Sequence, residues 1–225
     1  MTTSGTANFN LDILEIVEEA YERAGLEMRT GYELRTARRS LQLLALEWSN
    51  MGINLWTVKS ATIAMVASTK TYTLATDIID VIEGIMRKGS GTSQVDYHLS
   101  RMSVSTYAQR SNKNAESRPT EYYVDRILAP TVTFWPVPDS TDWTFVYYYL
   151  RRIEDAGTST NNYDVPDRFL PSLVAGLAFH IAMKKPEAIQ RVQPLKAYYD
   201  ECMSLAMDED RSKTSTFLLP QVGYV

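Results

Sequence analysis

Few residues in this chain have the types and spacing that chemistry needs. There are two histidines, His98 and His180, and one cysteine, Cys202. Zinc sites draw Cys, His and carboxylate ligands from short, regular spacings. Neither histidine has a Cys, Glu or second His at such a spacing. His180 lies in an apolar helical run and reads as a satisfied core or interface histidine. A single cysteine excludes an internal disulfide framework, and Cys202 reads as a small hydrophobe within a helix. The run Gly89-Ser90-Gly91-Thr92 lacks the Gly-Lys-Ser/Thr that completes a phosphate-binding loop, so it reads as a turn. No serine is framed by glycines as an exposed nucleophile. Glu18-Glu19 and Glu154-Asp155 are adjacent carboxylates, and adjacency alone does not place two acids across a substrate. The expectation is a protein with no catalytic site, no cofactor and no metal.

What remains is charge that could bind. Arg35, Arg38 and Arg39 fall at i, i+3 and i+4 and form a basic stripe on one side of a helix. It has two readings: a solvated helix face, or a docking face for an acidic partner or another subunit. Arginine suits the second, because its planar fork binds carboxylates bidentately.

The element that holds this stripe is the most legible in the chain. Thr30 and Glu33 form a capping box, each side chain reaching the other's backbone amide. Leu34, Ala37, Leu41, Leu44, Ala45 and Trp48 recur at helical period and make one apolar face. Asn50, Met51 and Gly52 supply a C-terminal stop. Before it, a helix from Asn8 or Asn10 carries Ile13, Val17, Ala20, Tyr21 and Ala24 on one face and ends at Gly25. Residues 8–28 hold six acids and one arginine. Acidic first helix and basic second helix should attract, within one subunit or between neighbours.

From Ile53 to Arg152 the signals are mostly β. Strands are expected at 61–67, 71–74, 78–86, 95–99, 122–128, 131–135 and 143–152, with a short helix at 103–109 and a loop at 110–119. Six or seven strands with turn punctuation point to a small antiparallel sandwich or barrel. The segment 156–163, AGTSTNNY, is a polar linker. Asp164-Val165-Pro166 resembles a helix start, with Asp as cap and Pro at the first position. Leu170, Leu173, Val174, Leu177 and Ile181 then line one face, and Pro186 opens a last helix that runs to about Asp210. The end of the chain, TSTFLLPQVGYV, is apolar without a period. Its Phe217, Leu218, Leu219 and Tyr224 either fold back on their own domain or lie on a neighbouring protein.

Composition bounds the class. The chain has 225 residues, 44% hydrophobic and 22% charged, ordinary values for a globular protein. Fourteen tyrosines and four tryptophans can build broad contact surfaces. No stretch approaches a membrane span, and the first ten residues lack the pattern of a signal peptide. The net charge of −4 argues against a protein that grips nucleic acid. It is compatible with a channel wall along which DNA slides.

The run GYELRTARRSLQLLALEWSNMGINLWTV, preceded by EEAYERAG and followed in order by RPTEYYVDR, FWPVPD and VPDRFLPSLVAGLAFHIA, resembles the head-to-tail adaptor proteins of short-tailed tailed phages. The resemblance runs from about Asn10 to Asp210. It implies a structural virion protein, made in the host cytoplasm and placed in the tail below the portal vertex. It implies partners too: the portal protein, a distal tail or nozzle protein, and further copies of itself in a ring of roughly twelve. Genomic DNA would pass through the lumen without specific binding. It also favours a partner-binding arm at the C-terminus.

The chain is therefore expected to be α+β: a helical bundle from its N- and C-terminal helices, with an inserted antiparallel β domain of sandwich or barrel type. The segments are 1–56 and 156–213 for the helical domain, 57–155 for the β insert and 214–225 for the arm. A different class of function stays open beside the adaptor, a soluble ligand-binding module. The tyrosine-rich run Phe145-Val146-Tyr147-Tyr148-Tyr149 is its best support.

Overall fold

The computed structural model describes residues 11–52, 55–155, 157, 158 and 160–210. They form two compact units, one from the two ends of the chain, up to residue 55 and from residue 154 on, and one from residues 56–153. The fold is α+β, and neither sheet closes into a barrel.

The helical unit holds α1 (Ile13–Ala24), α2 (Gly31–Met51), α4 (Leu170–Lys184) and α5 (Val192–Glu209), while the short α3 (Val104–Ala108) belongs to the other unit. Helix α1 starts at Ile13 and not at Asn8 or Asn10, because a second capping box sets its origin. Asp12 accepts from the Glu15 amide at 2.8 Å, and Glu15 accepts from the Asp12 amide at 3.0 Å. Helix α2 has the expected start and stop. Thr30 Oγ1 accepts from the Glu33 amide at 3.4 Å, Glu33 accepts from the Thr30 amide at 3.1 Å, and Gly52 ends the helix at φ 78°. Of its expected apolar face, Ala37, Leu41, Leu44, Ala45 and Trp48 are buried.

Helix α4 is the centre of this unit. It is apolar all round, as a helix packed on several sides must be. Helices α1, α2 and α5 all pack against it. At Gly176 a Cβ would sit 2.9 Å from both Leu44 of α2 and Tyr199 of α5, so only glycine allows both neighbours to approach this closely. Helix α4 begins later than Asp164-Val165-Pro166 indicates. A 3-10 turn at Asp167–Phe169 intervenes, closed by the Phe169 amide donating to the Pro166 carbonyl at 2.8 Å. Pro171 is accommodated in the first turn of α4, where its missing N–H costs nothing. The linker before it does not run free: Asn161 accepts from the Ile13 amide at 3.1 Å, and Asn162 bridges Asp12.

A tie joins the two halves of the unit across the start of α2. Lys185, at the end of α4, donates to Glu33 at 2.8 Å. Glu33 thus serves the Thr30 cap, the Arg29 amide at 2.8 Å and a lysine more than a hundred residues away. The Lys185 hydrogen bond, with the amide of Arg29 next, holds its carboxyl down at about 2, and the same contact pushes Lys185 above the usual lysine range.

The other unit is built on two four-stranded sheets. In the first, β1 (Val58–Ala64), β8 (Trp143–Arg151), β3 (Ile78–Lys88) and β4 (Val95–His98) follow in that order, all antiparallel. In the second the order is β2 (Thr71–Thr73), β7 (Thr131–Trp135), β6 (Glu121–Asp125) and β5 (Ser100–Arg101). The β5–β6 pair is parallel, a departure from the antiparallel expectation. Strands β1 and β2, adjacent in sequence, lie in different sheets, so each pairs with a distant strand.

The two sheets share one core. Phe145 of β8 meets Phe134 of β7 with ring centroids 4.8 Å apart and Tyr122 of β6 at 5.7 Å. Phe145 lies against the bare backbone of Gly84 in β3, where a Cβ would come within 2.5 Å of its ring. A glycine inside a long strand here serves close packing rather than a bend. Among the described residues, no helix is long and apolar enough to cross a membrane.

Three outcomes are expected. Thr30→Ala removes one capping bond and should destabilise the helical unit by about 1 kcal/mol, which thermal unfolding reads as a fall of roughly 2–4 °C. Gly84→Ala forces Phe145 out of its seat and should cost about 1–3 kcal/mol, against near-neutrality if the site is loose. The Glu33–Lys185 tie also makes a prediction about pH. Because the Glu33 pKa is lowered on folding, the stability it adds is complete above 4.5 and is lost as pH falls towards about 2. Acid unfolding of Glu33→Gln should show a shallower slope in that window than the unaltered protein.

Candidate functional site

The surfaces most able to do something lie on the helical unit. Helix α2 buries one side and presents the other. At 100° per residue, Tyr32, Arg35, Arg39, Leu43 and Leu46 fall on the outward side. Tyr32 is 65% exposed, Leu43 55% and Leu46 54%. Arg35 and Arg39 are exposed as well, and among the described residues neither makes an ion pair. Arg38 is placed differently. It is half-buried on the flank of the helix, with its Nε covered and without a hydrogen bond. The stripe read from sequence is thus two outward arginines and one arginine pressed against the protein. What the stripe reading missed is that Leu43 and Leu46 extend it, making the face amphipathic rather than purely basic.

A second surface is a groove of about 700 Å³ between α1 and the start of α4. Glu15, Glu18, Glu19 and Glu22 line its α1 wall, while Leu170, Pro171 and Val174 form an apolar floor. Glu19 is engaged by Arg23 at 2.7 Å. Glu15, Glu18 and Glu22 are exposed and recur at i, i+3 and i+7, one above another on the helix. The acidity of α1 is visible in the sequence. The floor is not, because α4 lies some 150 residues further along.

The remaining residues singled out from sequence are dispersed. His180 on α4 is half-buried, 3.6 Å from Glu47 of α2. Burial lowers its pKa below the usual imidazole value, Glu47 opposes this, and Lys184 adds to it. His98 is exposed on β4, 3.9 Å from Glu83. Cys202 is half-buried on α5. Among the described residues no group of three or more His, Cys, Asp or Glu could hold a metal ion. The Gly89–Thr92 run is the tip of the β3–β4 hairpin. In the tyrosine-rich strand β8, Phe145, Tyr147 and Tyr149 face inward as a ladder of rings 4.9 and 5.5 Å apart. Only Tyr148 among its tyrosines is exposed. That strand serves the core, which weakens its case as a ligand platform. Phe217, Leu218, Leu219 and Tyr224 lie outside the described residues.

The β unit also carries cation–aromatic clamps that no sequence pattern announced. Arg110 lies 4.1 Å over the Trp135 ring and donates to Glu121 at 2.7 Å. Arg118 covers Tyr97 at 4.3 Å. Each fixes a loop to a strand.

The arrangement offers surfaces for protein contact and no assembled catalytic geometry among the described residues. No curated protein matches the chain significantly. A family model does, that of the SU10 adaptor protein, over residues 11–219. The match spans both units, so the chain belongs to the SU10 adaptor protein family.

Proposed function

We propose that this protein is a subunit of a head-to-tail adaptor ring, a structural virion component that joins the portal to the distal tail and frames part of the DNA channel. The family match over residues 11–219 carries this reading, since that family is one of structural phage adaptors and not of enzymes. The two surfaces of the helical unit support it. A ring subunit must meet identical neighbours on two sides and different proteins above and below, and this unit presents amphipathic faces of opposite charge. The mildly acidic chain, at −4 overall, suits a wall that does not retain DNA. The copy number, set at roughly twelve by the resemblance, belongs to this proposal.

The end of the chain is assigned to the portal or a neighbouring subunit. Phe217, Leu218, Leu219 and Tyr224 would each contribute about 1.5–3 kcal/mol of burial there, offset by the ordering of the arm. Repetition around a ring multiplies any surplus.

The test is the mass of complexes formed with purified portal protein. The full chain should load the portal with many copies, while a chain ending at Lys213 should stay folded and fail to load. Failure of the full chain to bind the portal at micromolar concentration would defeat the adaptor reading. Equal loading by the shortened chain would remove only the arm.

A further inference from the structure

The outer face of α2 and the α1–α4 groove are complementary. One is basic and apolar, with Arg35, Arg39, Leu43 and Leu46 outward. The other is acidic and apolar, with Glu18 and Glu22 above a floor of Leu170, Pro171 and Val174. Their spacings agree: Arg35 and Arg39 are i, i+4, and so are Glu18 and Glu22, so both pairs repeat at about 6 Å along a helix. Within one chain the surfaces do not pair, because α2 is held to the core by its opposite side through Leu41, Leu44 and Trp48. A patch that fits a different patch on the same molecule makes a head-to-tail contact, and such contacts close into a ring when the rotation allows.

We propose that α2 of one copy seats in the α1–α4 groove of a second copy. Leu43 and Leu46 cover the apolar floor, and Arg35 and Arg39 form ion pairs with Glu18 and Glu22. This rests on the ring reading above and adds to it the two surfaces that meet. Glu19 is left out because Arg23 already holds it, and Arg38 because it is half-buried in its own subunit. The pairing explains why two large hydrophobics, Leu43 and Leu46, stand on one exposed helix face. It also makes assembly salt-sensitive, since the charges lie at the rim of the contact.

The test is charge exchange in the full chain, with thermal unfolding as the folding control and ring assembly on the portal, read by native mass, as the measurement. Arg35→Glu with Arg39→Glu should weaken assembly about tenfold or more, and Glu18→Lys with Glu22→Lys should do the same. A chain bearing all four changes has both faces reversed and should recover assembly to within about threefold of the unaltered protein. A cysteine pair, Leu43→Cys with Glu18→Cys in a Cys202→Ser background, should cross-link neighbouring subunits through a short bifunctional maleimide. If the unaltered protein assembles but the fourfold variant stays as weak as its parents, this pairing is wrong and the adaptor reading stands. If only the groove variant is weakened, the groove takes another segment, residues 211–225 first among them, and α2 is excluded. If the unaltered protein never assembles, both readings fall together.

Discussion

The helical unit depends on one buried indole. Trp48, near the end of α2, donates its Nε1–H to the Tyr199 hydroxyl at 2.9 Å and packs its ring on Phe169 at 5.6 Å. These partners are 151 and 121 residues away: Tyr199 lies within α5, and Phe169 immediately precedes α4. The hydrogen bond is buried, so the indole N–H or the phenol hydroxyl would be orphaned if the other moved. Burial of Tyr199 raises its pKa and keeps the phenol protonated, while the indole contact opposes that shift. Around this point α4 can be apolar on every side, with Gly176 letting Leu44 and Tyr199 close over it.

That dependence explains what the sequence made legible. Period and caps are local, and where they are strong the reading succeeds: α2 begins and ends where Thr30, Glu33 and Gly52 place it. Local chemistry also misleads where a distant group claims a side chain. Asp164 resembles a helix cap, yet its carboxylate accepts from the Glu154 amide at 3.1 Å, and the helix waits for the turn that ends at Phe169. Pairing between strands is the least local property of all. Most strands were readable from alternation, but their bounds were not: β1 is Val58–Ala64 rather than 61–67, β6 is Glu121–Asp125 rather than 122–128, and nothing in Val58–Ala64 says that its partner is Trp143–Arg151 rather than the next strand. The α+β class with an inserted β region survived these errors because it depends on the order of elements and not on their partners.

The candidate surfaces divide in the same way. The arginines of α2 stood out by spacing, and the structure keeps two of them outward. The signal for the rest was present but unused: Leu43 and Leu46 are large hydrophobics out of register with the buried side of their own helix, and a residue out of register on a strong helix calls for a partner. The groove had no such signal. Its wall and floor come from opposite ends of the chain and become one surface only after α4 is in place.

The β unit begins and ends on neighbouring strands. Val58, at the start of β1, pairs with Leu150 near the end of β8, so the chain enters and leaves this unit side by side. To the helices, nearly a hundred residues therefore act as a short loop, since closing a loop is governed by the separation of its ends and only weakly by its length. During synthesis α1 and α2 emerge first but lack α4, and must wait. The β unit carries its own core and can reach its final form in that interval, bringing the two ends together before the second half of the bundle appears. Once the β unit has formed, the pairing of Val58 with Leu150 holds its two ends together, which shortens the search left to the second pair of helices.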